Sequence, residues 1–220
     1  MRLSNWLKHA AAACALISAS LASHADPILW VSTGGAQLAT VDVATGTTSV
    51  IGSTSVALTD IAFSPTGDLY GISFSNLYTV NTSTGAATAI GSGIGFQSGG
   101  DLAFVGGDLF MASSGNQLID VDVTTGAGVF VGNLGVGDMF GLATPDNVTL
   151  YGVAGQSVYL VNTGTGAATF QSTFNPTLSG GAFGLAFRTE SGGGSVPEPG
   201  ILALLALALA GLGFARRKLH

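Results

Sequence analysis

The middle of the chain is marked by the residue types that it lacks. Residues 26–195 contain no cysteine, no histidine and no lysine, and Arg188 is their only basic residue. The usual general bases and thiol nucleophiles are therefore missing, which excludes a Ser-His-Asp arrangement. Zinc and copper sites built from imidazole and thiolate are excluded as well. Any chemistry in this region has to come from carboxylates.

Positive charge is almost absent from the same region. Eleven of the twelve acidic residues lie between Asp26 and Glu190, so eleven acids less one arginine leave a net charge of −10. This is the wrong sign for holding phosphates by counterion release, so nucleic acid is excluded as a partner. Because no disulfide can form there, an exported fold has to be stabilised by its core and its hydrogen-bonded sheets.

Long apolar runs are confined to the two ends of the chain. Elsewhere no run approaches the roughly 18 residues that indicate a membrane-spanning helix. The chain has 34 glycines and only 8% charged residues, and its middle alternates apolar stretches with Gly, Asn, Asp and Ser. This composition is typical of a β-rich domain with many tight turns. A length of 220 residues allows one domain with appendages.

The first 25 residues have the parts of a secretory signal peptide. Arg2 and Lys8 supply positive charge, residues 10–22 are an apolar core, and small residues precede a cleavage point after Ala25. We therefore predict a signal helix over residues 1–25 and passage through the secretion translocon. Lipidation of Cys14 is the alternative, but Cys14 lies inside the apolar core and has no leucine three positions before it.

A repeat of about 40 residues fills the middle of the chain. Its units begin at Leu29, Leu69, Leu109 and Leu150, and these starts are 40, 40 and 41 residues apart. Each unit carries a turn of the form Asp/Asn-x-x-Thr-Gly. The Asp or Asn side chain can accept hydrogen bonds from backbone amides further along a type I turn, and the glycine takes a left-handed conformation. The glycines of the four turns are Gly46, Gly85, Gly126 and Gly166.

Four strands per unit and this period predict a four-bladed β-propeller. With the "DIAF"-type strand innermost, complete blades run over 58–91, 100–132 and 138–171. The first unit, 28–52, lacks its inner strand, and the spare "GAFGLAF" at 181–187 supplies it. The N-terminal and C-terminal strands then close the ring and leave no open sheet edge. The alternatives are an open β-solenoid and a larger ring made by two chains.

Two segments resemble known propeller repeats. "DIAFSPTGDLYGIS" and "LYTVNTSTGAATAIG" are similar to the loosely related repeats of bacterial surface and extracellular proteins. The resemblance covers about residues 28–188, and it implies a fold without implying an activity.

Three carboxylates are the candidate metal ligands. Asp60, Asp101 and Asp138 fall at or just before inner strands, near one mouth of the predicted channel. Oxygen ligands in such a place suit Ca²⁺, and a carboxylate pair at a suitable separation suits glycoside cleavage. Since Asp60 and Asp101 occupy the same place in successive repeats, finishing a turn or capping a strand is the simpler interpretation.

Other candidates have stronger structural interpretations. Asp120 and Asp122 lie two apart on a strand, but Asp122 already belongs to the repeated turn and the spacing of a Ca²⁺ loop is absent. The glycine-rich segment 92–100 has no following helix and no lysine, so it is not a phosphate cradle. The longer loops precede inner strands and should share one face, where a ligand would bind. One aromatic residue follows each repeat's first leucine, and its fixed place indicates packing: Trp30, Tyr70, Phe110 and Tyr151.

The end of the chain reads as a tail beyond the ring. A flexible linker at 191–195 precedes a 15-residue uncharged run over 201–215, which as a helix spans roughly 22 Å against about 30 Å of bilayer core. The run is short for a permanent anchor, and the basic residues after it favour the cytoplasmic side. We expect a hydrophobic helix that spans the inner membrane transiently.

The tail resembles the PEP-CTERM sorting signal of Gram-negative bacteria. Its three parts occur in order over residues 196–218. The resemblance implies recognition by an exosortase, a membrane-embedded cysteine transpeptidase-like enzyme, with processing near the Pro-Glu-Pro motif. Such proteins accompany exopolysaccharide and biofilm production. The matching residues are Val196, Pro197, Glu198 and Pro199, and then Arg216, Arg217 and Lys218.

The sequence thus predicts four parts: a signal peptide (1–25), an all-β propeller (26–190), a linker (191–195) and a sorting signal (196–220). We expect a non-enzymatic structural or binding module at the cell surface or in the extracellular matrix, without a cofactor. Its expected partner is an extracellular polysaccharide or a surface protein. The alternatives are a secreted carboxylate-dependent polysaccharide hydrolase or lyase, and a Ca²⁺-stabilised surface scaffold.

Overall fold

The described part of the molecule consists of strands and turns. The computed structural model describes residues 28–43 and 45–175, all within one compact unit, Ile28–Gly193. None of these described residues is helical, and within them no helix is long and apolar enough to cross a membrane. The strands are β1 Ile28–Ser32, β2 Gln37–Asp42, β3 Thr48–Ser53, β4 Asp60–Phe63, β5 Leu69–Ile72, β6 Leu77–Val80, β7 Ala87–Ile90, β8 Ser98–Val105, β9 Asp108–Ser113, β10 Gln117–Val121, β11 Gly128–Asn133, β12 Met139–Ala143, β13 Leu150–Ala154, β14 Ser157–Val161 and β15 Ala168–Thr173.

The strands form four antiparallel sheets in chain order, arranged as the blades of a four-bladed propeller. Blade 1 holds β1 to β3, and blades 2, 3 and 4 hold β4–β7, β8–β11 and β12–β15. The predicted blade boundaries and the three-stranded first blade are confirmed. The inner strand β8 packs against both β4 and β12, so the first strand of each complete blade lines the hub.

The repeated turn forms as predicted. In blade 2, the Asn81 side-chain oxygen accepts hydrogen bonds from the amides of Ser83 (2.8 Å) and Thr84 (3.0 Å). The Gly85 amide donates to the Asn81 carbonyl at 2.8 Å, and Gly85 has φ +77°. The same arrangement recurs in the other three blades, where the turn glycines have φ between +70° and +76°. The turn residues therefore act through local hydrogen bonds and glycine's tolerance of positive φ.

Blades pack against one another through apolar cores. A buried cluster between blades 1 and 2 is centred on Leu38 and Leu69, and one between blades 2 and 3 on Ile72 and Met111. A third cluster, between blades 3 and 4, is centred on Leu118. Because each of these three inter-blade spaces has its own core, the described blades are stabilised by a series of contacts between neighbours.

A tight backbone contact fastens successive blades at their outer edge. We call it the rim joint: the Thr-Gly turn of one blade lies directly on a glycine at the C-terminal end of the preceding blade's outer strand, either the last residue but one of that strand or the residue after it. A Cβ atom at Gly52 would collide with the Thr84 carbonyl oxygen, and one at Gly132 with that of Thr165. Glycine is therefore required by the close approach of two backbones. The three rim joints pair Gly52 with Gly85, Gly91 with Gly126, and Gly132 with Gly166.

Four predicted parts lie outside the described residues. They are the signal helix with its cleavage point at Ala25, the closing strand at 181–187, the linker at 191–195 and the sorting signal at 196–220.

Candidate functional site

Two predicted carboxylates meet at the hub. Asp60 begins β4 and Asp101 lies in β8, after a register irregularity that separates it from Ser98. One Asp60 carboxylate oxygen accepts the Leu102 amide at 2.8 Å, and the other accepts the Ile61 amide at 2.8 Å. Asp60 thus joins the inner strands of blades 2 and 3 through a charge-assisted hydrogen bond. Its place in the repeat had indicated that it finishes a turn or caps a strand, and the bond to Leu102 adds a link between two blades.

Asp101 is the only described carboxylate in the interior. Its side chain is 3% exposed, and its Oδ2 is the one buried side-chain polar atom among the described residues without a hydrogen-bond partner. Burial, followed by the negative charge of Asp60, raises the pKa of Asp101 to about 8. Asp101 is therefore a neutral carboxylic acid at neutral pH. Its neighbour Asp60 accepts hydrogen bonds from two backbone amides.

Asp138 does not join this pair. It is exposed, it has φ +55°, and its amide donates to the Asn116 side-chain oxygen at 3.1 Å. By strand pairing, the β12 residue that corresponds to Asp60 and Asp101 is Gly141, because Gly141 pairs with Val153 as Asp60 pairs with Ile72. Within residues 28–43 and 45–175, no three His, Cys, Asp or Glu side chains are grouped to hold a metal ion.

A second acidic group lies on the surface of blade 3. Asp108, Asp120 and Asp122 line one cleft of about 290 Å³. Burial, with smaller contributions from Asp108 and Asp122, raises the pKa of Asp120, whereas two backbone amides of the turn lower that of Asp122. Asp108 joins the group because the β9–β10 pairing brings it beside Asp122. Sequence spacing alone did not show that Asp108 lies near Asp120 and Asp122. The register of the β9–β10 hairpin shows it.

The blade 3 cleft is a feature of the repeat. An equivalent cleft of about 290 Å³ in blade 4 is lined by Leu150, Val161 and the turn residue Asn162. No acidic residue lines the blade 4 cleft, whereas three aspartates line the blade 3 cleft. The two clefts therefore share a shape that comes from the repeat, and they differ in charge.

The repeated aromatics are packing residues, as predicted. The Trp30 ring lies 5.5 Å from that of Phe63 at 79°, and the Tyr70 ring lies 5.5 Å from that of Phe104 at 59°. Each contact joins a ring on one blade (Trp30 in β1, Tyr70 in β5) to a ring on the inner strand of the next blade. Phe110 is buried in the core between blades 3 and 4. The edge-to-face contact of Trp30 and the tilted contact of Tyr70 stabilise the core, so these two rings serve packing.

The loops before the inner strands lie on one face, which we call the loop face. The loop before β8 is fixed by the Ile94 amide, which donates to the Ser75 carbonyl at 2.8 Å, and the loop before β12 by Leu134 donating to Asn116 at 3.0 Å. Ile94 and Leu134 are buried, so these loops are part of the inter-blade cores. Phe74, on the same face, is 69% exposed. The third predicted loop lies largely outside the described residues.

The sorting signal is confirmed by comparison with known families. A family model described as a PEP-CTERM protein-sorting motif matches residues 195–218. The chain carries a PEP-CTERM sorting motif. The motif implies export, recognition by an exosortase, and a final place at the cell surface or outside the cell. No curated protein is similar enough in sequence to count as a relative of the PEP-CTERM chain.

Solved structures support the fold alone. A structural genomics protein of unknown function from Bacteroides thetaiotaomicron VPI-5482 is 13% identical with a TM-score of 0.54, over 73% of this chain and 51% of that one. "YCF48 bound to D1 peptide" is 12% identical with a TM-score of 0.48, over 67% and 50%. Hydrazine synthase from Kuenenia stuttgartiensis is 18% identical with a TM-score of 0.46, over 61% and 42%. The chain thus spans about half or less of the length of these three structures.

Proposed function

We propose that the chain is exported through the secretion translocon, held transiently in the inner membrane by its tail, and released to the cell surface or matrix by an exosortase. There its propeller acts as a non-catalytic structural or binding module in exopolysaccharide or biofilm. The sorting motif at residues 195–218 carries this proposal. Its Pro-Glu-Pro segment, apolar run and basic end support a processing point between the propeller and the membrane.

The tail should be removed in cells that hold the sorting enzyme. We expect mass spectrometry of the mature C-terminus to show loss of the residues after the Pro197–Pro199 segment in such cells, and retention of residues 200–220 in cells lacking the enzyme. Glu198→Ala should block removal, and Gly192→Ala in the linker is the matched control. Retention of residues 200–220 in both strains would mean that the tail is a simple anchor.

A non-catalytic role is supported by what lies around the carboxylates. The Asp60–Asp101 pair sets a protonated carboxyl group beside a second carboxyl group, an arrangement that acid–base catalysis can use. However, a substrate has to reach within hydrogen-bond distance of the acid, and Asp101 is 3% exposed. Asp60 is occupied by two backbone amides. We therefore rank a carboxylate-dependent hydrolase or lyase below a binding module.

The loop face is the best candidate for the binding surface. It carries Phe74, the most exposed aromatic residue among those described, beside loops whose buried Ile94 and Leu134 fix them to the cores. Exposed aromatic surface on a fixed loop suits contact with a polysaccharide or a surface protein. The propeller has nine aspartates and no basic residue over its described residues, so a polyanion is the least suitable polysaccharide.

We also propose that residues 181–187 complete blade 1. Leu29 in β1 is 51% exposed, whereas its counterparts Leu69, Leu109 and Leu150 are at most 2% exposed. A strand on the free edge of β1 would bury it. The repeat also places Phe187 where Phe63 and Phe104 meet the aromatics of their preceding blades, opposite Tyr151.

A disulfide can test this closure because residues 26–220 contain no cysteine. Ser32 and Gly184 correspond to the pair Ile72 and Asp60 of blade 2. Ser32→Cys with Gly184→Cys should therefore form a disulfide in the full chain exported to the periplasm, seen as a gel shift on reduction. Ser32→Cys with Leu185→Cys should not, since a one-residue shift turns the side chain to the other face. Equal cross-linking of both pairs would contradict the closure.

A further inference from the structure

Three rim joints fasten blade 1 to 2, blade 2 to 3 and blade 3 to 4. In each, the turn's carbonyl oxygen occupies the space that a Cβ atom on the preceding blade's glycine would need. Gly132 is buried beneath the turn of blade 4. Two joints are reinforced by backbone hydrogen bonds, since the Gly128 amide donates to the Ile94 carbonyl at 2.8 Å and the Ala168 amide to the Leu134 carbonyl at 3.0 Å.

The corresponding positions on blades 4 and 1 do not make this joint. Ser172 pairs with Val158 across β14–β15 as Gly132 pairs with Leu118 and Gly52 with Leu38, each directly after a register shift. Blade 4 therefore has a serine where blades 1 and 3 have a glycine, and Ser172 is exposed. On blade 1, a Cβ atom added to Gly46 would meet no atom of the described residues within 4 Å.

The two observations are complementary. At the three existing joints, a Cβ atom on the glycine would lie much closer to the turn's carbonyl oxygen than non-bonded atoms approach. A turn that docked on blade 4 in the same way would bring the Thr45 carbonyl oxygen equally close to the Cβ of Ser172. The Gly46 turn itself is competent, because Thr45 donates to the Asp42 carboxylate at 2.9 Å and Gly46 has φ +70° like its counterparts. The obstacle lies on the blade 4 side alone.

We propose that Ser172 keeps the rim open between blades 4 and 1, so that the propeller has three fastened joints and one unfastened seam. The seam is the place where the ring separates first. A second copy of the chain presents the same serine, so the same obstacle prevents the blade 1 turn of one copy from docking on blade 4 of another. Such head-to-tail contacts would generate larger rings or filaments, and a single side chain prevents them.

The proposal is tested by a double-mutant cycle in the full-length protein in a mild detergent. The variants are Ser172→Gly, Gly46→Ala and both together. In the wild type, Gly46→Ala should lower the melting temperature only through the strain of its positive φ. In the Ser172→Gly background, Gly46→Ala should lower the melting temperature further, because it then also breaks the new joint between blades 4 and 1. Ser172→Gly alone should raise the melting temperature by roughly 2–4 °C, although glycine ordinarily lowers it.

The reciprocal cycle uses an existing joint. Gly166→Ala should be coupled to Gly132 in the wild type, and Gly132→Ser should abolish that coupling by recreating the seam. Sedimentation at two protein concentrations then distinguishes a new joint within the chain from one between copies, and either supports the role of Ser172. A fall in melting temperature on Ser172→Gly, or no coupling between positions 46 and 172 in that background, would overturn the proposal.

Discussion

Gly132→Ala should destabilise the protein by about 3 kcal/mol or more, which is large for the addition of one methyl group. The new Cβ would meet the carbonyl oxygen and carbon of Thr165 and the amide of Gly166. These are backbone atoms of a hydrogen-bonded turn, so they cannot move aside as the end of a long side chain can. Relief would require blade 4 to withdraw from blade 3 and open the apolar core centred on Leu118.

A matched control separates this effect from the general cost of replacing glycine. Gly115→Ala has its nearest contacts at 3.5 Å, 3.6 Å and 3.7 Å, and like Gly132 it does not have a positive φ. We expect Gly115→Ala to leave the melting temperature near that of the wild type, whereas Gly132→Ala should lower it by roughly 6–12 °C. Equal effects at both positions, measured by thermal unfolding of the full-length protein, would show that the rim joint contributes nothing.

The blades themselves could be predicted from the sequence because their determinants are local. A turn such as Asn81 to Gly85 is specified by one side chain and one glycine within five residues, and it forms with the hydrogen bonds that its composition indicates. The alternation in β6 and β7 then sets which side chains face a neighbouring sheet. Four copies of this strand–turn–strand pattern in the sequence were enough to predict the strand order, the blade boundaries and the absence of an inner strand from residues 28–52.

The contacts between blades could not be predicted in this way. The Asp60 side chain reaches the Leu102 amide 42 residues away, and the repeat places both residues correctly without showing that they meet. Asp138 illustrates the opposite error. It stands close before its inner strand in the sequence, but the register gives the corresponding position to Gly141 and leaves Asp138 exposed on a loop. Site geometry at the hub depends on how the blades are rotated together, and no single repeat contains that information.

The rim joints left a signal that was readable in principle. Gly52, Gly91 and Gly132 each lie six residues after the turn glycine, and Ser172 breaks the series. In a chain with 34 glycines such a series is inconspicuous. Its meaning depends on the carbonyl oxygens of another blade, which only the three-dimensional structure brings into place.

Asp101→Asn should stabilise the protein at neutral and alkaline pH and remove most of the pH dependence of its stability. The pKa of Asp101 is raised from 3.8 to about 8 by burial and by Asp60. Between these values the folded state holds a proton that the unfolded chain has released. Stability is therefore complete below about pH 4 and is lost as pH rises through about 8, at up to about 1.4 kcal/mol per pH unit. Asparagine is neutral throughout, so it avoids this loss.

Two turn carboxylates, Asp122 and Asp146, act in a different pH window and with the opposite sign, whereas the raised pKa of the half-buried Asp120 acts with the same sign as that of Asp101. Backbone amides lower the pKa of Asp122 and of Asp146. Their contributions are present above the unfolded-state pKa and are lost as pH falls through the lower folded values. Measurements from pH 5 to 8 therefore isolate Asp101 from these two turn residues.

The experiment is urea unfolding of the full-length protein at several values between pH 5 and 8, in buffer with EDTA and in the same buffer without it. Wild type should lose stability steadily over this range, and Asp101→Asn should be nearly flat and the more stable at pH 8. Asp138→Asn, which removes an exposed carboxylate outside the pair, is the matched control.

A wild type that becomes less stable on adding EDTA would favour the Ca²⁺-stabilised scaffold instead. If Asp101→Asn remains as pH-dependent as the wild type, the buried proton is not at Asp101. If Asp101→Asn also unfolds at lower urea concentrations than the wild type at every pH, the Asp101 carboxyl group has a partner in solution that offsets the cost of its burial. The argument that the Asp60–Asp101 pair is not a catalytic site would then fail as well.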